Sequence, residues 1–86
     1  MEFKISNHAV EEMRRRAIGR DVVVRVLMNP EQIIPGKEGR KVYQSRVSFG
    51  DEKMYLVRVI VADDNVPPVV VTVYRTSRLA KYWRLS

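Results

Sequence analysis

Five residues, Val69-Val70-Val71-Thr72-Val73, form an unbroken β-branched run. Such side chains are stiff at χ1 and fit a pleated, buried surface, so the run predicts a strand inside a sheet. The chain leaves it through Tyr74, Arg75, Thr76 and Ser77, all able to bond phosphate, and closes in a short cationic, aromatic tail. A buried strand fixes its own last residues, so Tyr74 and Arg75 would stand at the end of a rigid sheet. That placement suits a polyanion site. It also suits a plain strand end followed by a capped helix, a reading that the sequence favours slightly less.

The segments before it supply partners. Ser6 and Asn7 are good N-caps, and Glu11 and Glu12 favour early helical turns. On a wheel over His8 to Ile18, Ala9, Val10, Met13 and Ala17 make one apolar stripe. His8, Glu12 and Arg15 lie opposite, with Arg16 at the border beside Ala9. Gly19 can end that helix and start another. Val22 to Met28 could be strand or helix. The i, i+3, i+4 spacing of Val23, Val26 and Leu27, the first-turn Asp21 and the Asn29-Pro30 stop favour a helix.

Ile33-Ile34 predicts a brief strand, broken by Pro35-Gly36. Arg40 to Phe49 alternates, with Tyr43, Val47 and Phe49 on one face and Gln44, Arg46 and Ser48 on the other. Gly50 to Lys53 reads as a hairpin turn. Met54 to Ala62 is apolar on both faces except for Arg58, which predicts a central strand. Asp63 to Pro68 is a loop, Val69 to Tyr74 returns antiparallel, and Thr76 or Ser77 caps a last helical turn through Trp83. Helices ahead of strands indicate an α+β fold. The expectation is one domain over residues 1–86: two N-terminal helices packed on a three- to four-stranded antiparallel sheet, with a short C-terminal helical tail.

Charge narrows the function. Lys and Arg number 16 against 10 Asp and Glu, a net charge of +6. That excess on a small surface attracts phosphate polymers, anionic membranes or an acidic protein. Nucleic acid is the first partner it suggests, an acidic protein the second. No apolar run is long enough to span a bilayer, and no signal peptide precedes the helices. With no cysteine, disulfides and thiolate metal sites are excluded. A cytoplasmic location fits.

Several side chains could carry chemistry. His8 is the only histidine, hence a candidate general acid or base; it could also be a solvent-facing helix residue. Arg14, Arg15 and Arg16 point three ways from a helix, and Arg16 alone could reach over the sheet toward a phosphate. Arg46 and Arg58 on neighbouring strands would make a cationic floor on an uncovered face, or pair with Glu31 or Glu38. Tyr74, Arg75, Tyr82 and Trp83 combine rings that stack on bases with a phosphate fork, although Trp83 suits core packing as well. Metal is not indicated: Asp63-Asp64 is the only adjacent aspartate pair, and no histidine is near it. Gly-rich phosphate loops, nucleophile elbows and catalytic cysteines are missing. RNA cleavage would remain open, because the 2′-OH is an internal nucleophile needing a proton acceptor, a phosphate clamp and a proton donor.

The pattern Ile5-Ser6-Asn7-His8-Ala9-x-Glu11-x-Met13-x-Arg15-Arg16-x-Ile18, then Val26-Leu27-x-Asn29-Pro30-Glu31 and Thr72 to Ser77, resembles a bacterial and archaeal family, domain of unknown function 4258. The resemblance covers nearly the whole chain. Ala17 stands where a glycine is usual in that family, and Gly19 where a serine cap is usual. In outline the family is similar to the small RelE/ParE and BrnT toxins. The resemblance implies metal-independent RNA cleavage and neutralisation by an acidic antitoxin-like protein. It implies catalytic roles for His8 and Tyr74, a phosphate clamp of Arg16, Arg46, Arg58 and Arg75, and no cofactor. The resulting expectation is a small basic toxin-like RNA-binding protein, with ribonuclease activity open. The alternative is a non-catalytic module for nucleic acid or an acidic partner.

Overall fold

A computed structural model describes residues 2–84. Strand β1 (Lys4–Ile5) runs into Ser6, which caps helix α1 (Asn7–Arg15) by accepting from the Ala9 N–H at 3.1 Å. The same hydroxyl donates to the Val71 carbonyl at 3.1 Å, tying the start of the helix to a strand far along the chain. Helix α1 ends three residues short of the wheel that its sequence suggests. Its last turn closes as a Schellman motif: Ile18 N–H donates to the Met13 carbonyl at 2.8 Å and Ala17 N–H to that of Arg14 at 3.3 Å. Ala17 therefore sits at φ 53°, in the left-handed region, a conformation that favours glycine. Met13 and Ile18 are both buried, as the motif's hydrophobic contact requires. Gly19 then opens helix α2 (Arg20–Met28) without a side-chain cap. Val23, Val26 and Leu27 are its buried face, so the i, i+3, i+4 reading of that ambiguous segment holds.

Four longer strands follow: β2 (Gln32–Pro35), β3 (Lys41–Ser48), β4 (Met54–Ala62) and β5 (Val69–Thr76). A short helix α3 (Leu79–Tyr82) comes last. The sheet has five strands in the order β1-β5-β4-β3-β2, so Met54 to Ala62 is its centre. It is mixed, which corrects the expected three or four antiparallel strands: β1 pairs β5 in parallel, Lys4 opposite Val69 and Ile5 opposite Val70. Two residues are too short for alternation to reveal. What holds them is backbone bonding across the chain, Lys4 N–H to the Pro68 carbonyl at 2.9 Å and Ser6 N–H to that of Val70 at 3.0 Å. Neither Thr76 nor Ser77 caps α3; Thr76 Oγ1 instead accepts from the Arg78 N–H at 3.1 Å.

Alternation divides the sheet. Val47, Val57, Val59, Val61, Val70 and Val73 meet Ala9, Met13, Ile18, Val23, Val26 and Leu27 in one buried cluster. The opposite face carries Val42, Gln44, Arg46, Leu56, Arg58, Ile60 and Tyr74, and the chain's last turn lies against it.

Two stability measurements check this frame. Val59 is fully buried at the middle of the central strand, so Val59→Ala should cost about 1 to 3 kcal/mol in urea unfolding. No loss would mean that β4 is not the centre of the core. Ala17 is exposed, so Ala17→Gly should act through its φ alone, raising stability by about 0.5 to 1 kcal/mol. A destabilised glycine variant would contradict the left-handed turn.

Candidate functional site

Register builds the site. Gln32 lies opposite Gln44, Gln44 opposite Arg58, and Arg58 opposite Tyr74, one polar row across four strands. Directly opposed side chains on one face of a sheet are within bonding reach. Gln44 Nε2 donates to Gln32 Oε1 at 2.7 Å, Arg58 Nε donates to Gln44 Oε1 at 2.9 Å, and Arg58 Nη1 donates to the Tyr74 hydroxyl. The last turn adds to the row. Gln44 Nε2 also donates to the Tyr82 carbonyl at 3.2 Å, and Gln32 Oε1 accepts from the Arg84 N–H at 3.1 Å.

Arg58 is half-buried, and no carboxylate pairs with it among the described residues. Its cation rests on neutral acceptors and rings: its guanidinium carbon is 4.4 Å from the Tyr82 ring centroid and 5.6 Å from that of Tyr74. The two rings meet edge to face at 6.3 Å. A cleft of about 560 Å³ opens here, lined by Arg58, Tyr74 and Tyr82 and walled by Lys37, Glu38 and Arg40. Glu38, the one acid in the wall, lies 3.7 Å from Arg40. An unneutralised cation beside aromatic faces is a ready site for an anion attached to a ring.

The other predicted residues fall around this cleft unequally. Arg46 shares the face with Arg58, one row along, but Glu31 neutralises it through Nε at 3.1 Å and Nη2 at 3.0 Å. Its guanidinium also covers Trp83 at 4.4 Å, so Trp83 packs under a cation. The face is thus partly roofed by the last turn and not left uncovered. Arg16 reaches over from the end of α1 to within 5.9 Å of the Tyr74 ring, held by Glu12 at 3.1 Å. The Arg16 and Arg15 side chains hold the Glu12 carboxyl below its usual range. Arg75 is opposite Val57 on the helix-bearing face, its guanidinium carbon 4.3 Å from the Phe49 ring centroid and 4.8 Å from that of Tyr55. His8 is exposed in the first turn of α1 and does not line the cleft. Gln44 and Gln32 were not among the predicted residues. Gln44 had a visible signal, an uncharged polar residue midway along an alternating strand, but only register shows that it meets Arg58.

The Glu31–Arg46 pair carries a pH signature. The Arg46 side chain, then its backbone N–H at 2.7 Å, hold the Glu31 carboxyl below its ordinary value of 4.5. A depressed folded-state value contributes stability above the unfolded value and loses it as pH falls through the folded one. Stability should therefore drop more steeply below about pH 4.5 in the parent than in Glu31→Gln, read from urea midpoints across that window. Parallel curves would show that the pair adds nothing pH-dependent.

No curated protein and no solved structure matches the chain. A family model does, over residues 5–75, from the end of β1 to the residue after Tyr74. That span is most of the chain and takes in the whole polar row, so the protein belongs to the family described as a domain of unknown function, DUF4258.

Proposed function

We propose that this protein is a small, basic, toxin-like RNA-binding protein that takes single-stranded RNA on the face away from its two long helices. The observation that carries the reading is Arg58: a half-buried cation with only neutral partners among the described residues, beside two tyrosine rings, in a cleft of about 560 Å³. Its unused N–H groups would grip a phosphate, and Tyr82 and Tyr74 would stack the attached base. The net charge of +6 would draw the polymer in. RNA as ligand suits a cytoplasmic location. An acidic, antitoxin-like protein is the competing partner for the same charge.

Metal-independent cleavage is the second reading, favoured by one contact. The Tyr74 hydroxyl accepts from Arg58, so its own proton is free to point into the cleft. With a phosphate on Arg58, Tyr74 would protonate the departing 5′-oxygen while the 2′-oxygen attacks phosphorus. The P–O5′ bond breaks, a 2′,3′-cyclic phosphate forms, and the 2′-OH proton passes to a base. His8 could serve as that base only if the RNA extends to the start of α1.

Binding of labelled single-stranded RNA against salt is the test. Affinity should fall with a log–log slope of about 0.7 per phosphate neutralised, and Arg58→Gln should reduce that slope by about one such step. Tyr82→Ala should weaken binding by about 1 to 3 kcal/mol, one stacked base. If RNA fails to bind at low salt while an acidic polypeptide binds, the protein-partner reading replaces this one. On the same RNA, Tyr74→Phe should lower cleavage about 10²- to 10⁴-fold with binding retained and chelator without effect. RNA left intact by the parent protein leaves a binding module.

A further inference from the structure

Resting on the RNA reading, we infer that the chain has a second phosphodiester site on the other side of the sheet, at Arg75, Arg15 and Arg16. A single strand would cross the free edge of β5 to occupy both. Three observations lead there. First, β1 covers β5 only at Val69 and Val70, so no strand lies beside Thr72 to Thr76 on that side among the described residues. Second, a groove of about 470 Å³ opens at that end of β5, lined by Arg15, Arg16, Tyr55, Arg75, Thr76 and Ser77. Third, Arg16 links the groove to a residue of the cleft, Tyr74. It lines this groove and also stands 5.9 Å from the Tyr74 ring, near which Arg58 lies at 5.6 Å. The Arg16 and Arg58 guanidinium carbons are therefore no further apart than the sum of those distances.

The groove has the electrostatics of an anion site. Arg75 makes no direct ion pair among the described residues; its guanidinium carbon lies against the Phe49 and Tyr55 rings. Asp51 accepts from the Tyr55 hydroxyl at 3.0 Å and the Lys53 N–H at 3.2 Å, and its charge and that of Arg75 attract without a direct ion pair among the described residues. Arg15 and Arg16 share the single carboxylate of Glu12, at 2.9 and 3.1 Å. Three guanidiniums thus face the groove with less than their complement of acid. The Arg75 guanidinium rests against rings and not against acceptors, which leaves N–H groups for a phosphate. Thr76 and Ser77 add hydroxyls at the rim. RNA fits better than a compact phosphorylated ligand, because the two sites are joined through Arg16 and a polymer alone spans both.

The experiment compares RNA length with site. Binding of a dinucleotide and of an octanucleotide is measured against salt for the parent, Arg58→Gln, Arg75→Gln and Ser77→Asp. Ser77 is exposed, so its replacement puts a negative charge at the groove without removing the packing of Arg75. The expected result is that Arg75→Gln and Ser77→Asp leave the dinucleotide unchanged but weaken the octanucleotide. Arg75→Gln should also lower its salt slope by about 0.7, the value for one phosphate. If Arg75→Gln fails to fold, Ser77→Asp decides alone. Should Arg58→Gln weaken both RNAs while the groove variants weaken neither, the second site is wrong and the RNA reading survives. If none of the variants changes RNA binding, both fail. A phosphopeptide that binds the groove more tightly than the octanucleotide would overturn the inference as well.

Discussion

The antiparallel register of β3, β4 and β5 is the constraint on which both the core and the candidate site depend. Side chains alternate with a period of two, so a slip of one residue would carry Arg58 into the helix-covered face. Val57, Val59 and Val61 prevent that slip. All three are fully buried against α1 and α2, and they fix Leu56, Arg58 and Ile60 on the other side. The apolar packing thereby aligns Gln44, Arg58 and Tyr74, although none of those three belongs to the cluster. The polar row in turn satisfies Gln44, which is fully buried and would be destabilising without partners. No buried side-chain nitrogen or oxygen is left unpaired among the described residues.

Arg46 and Arg58 show how the same residue type on one face acquires two different roles. Arg46 stands one row toward the hairpin turn, where Glu31 arrives from the segment between α2 and β2 and takes its Nε and Nη2 donors. It is a closed ion pair that fastens the edge of the sheet. Arg58 stands where the last turn arrives, and that turn brings a carbonyl and a ring, not a carboxylate. Tyr82 thus orients the guanidinium without neutralising it. The difference between a paired arginine and one without a carboxylate partner among the described residues is set by where Glu31 arrives.

Much of the frame was legible locally. The Ser6 cap, the α2 spacing, the hairpin and the apolar centre of β4 each follow from neighbours in sequence. The parallel pairing of β1 did not, since two residues carry no periodicity and their bonds are to residues 68 and 70. At the site, Arg58 was visible as the one charge within an apolar strand, and Tyr74 as the end of a valine run. Their partnership with Gln44 was not, because register is a long-range property. The grouping of Tyr74 with Arg75 ignored the period of two, which sends adjacent residues to opposite faces. Rings close around each of them, but on different sides of the sheet.

One irregularity decides which side Tyr74 takes. Ile60 pairs with Thr72 and Val61 with Val70, so Val71 is an extra residue on β5. Without it, Val70, Thr72 and Tyr74 would share a face, and burying Val70 would bring Tyr74 under the helices. With it, alternation restarts: Val70 and Val73 are both buried in the helix-side core, and Tyr74 turns to Arg58. The extra residue is itself held, since its carbonyl accepts from the Ser6 hydroxyl that caps α1. A single serine therefore links the start of the first helix to the bulge, and the bulge to the aim of the tyrosine. An unbroken β-branched run hides such a bulge, because every residue in it is equally suited to either face.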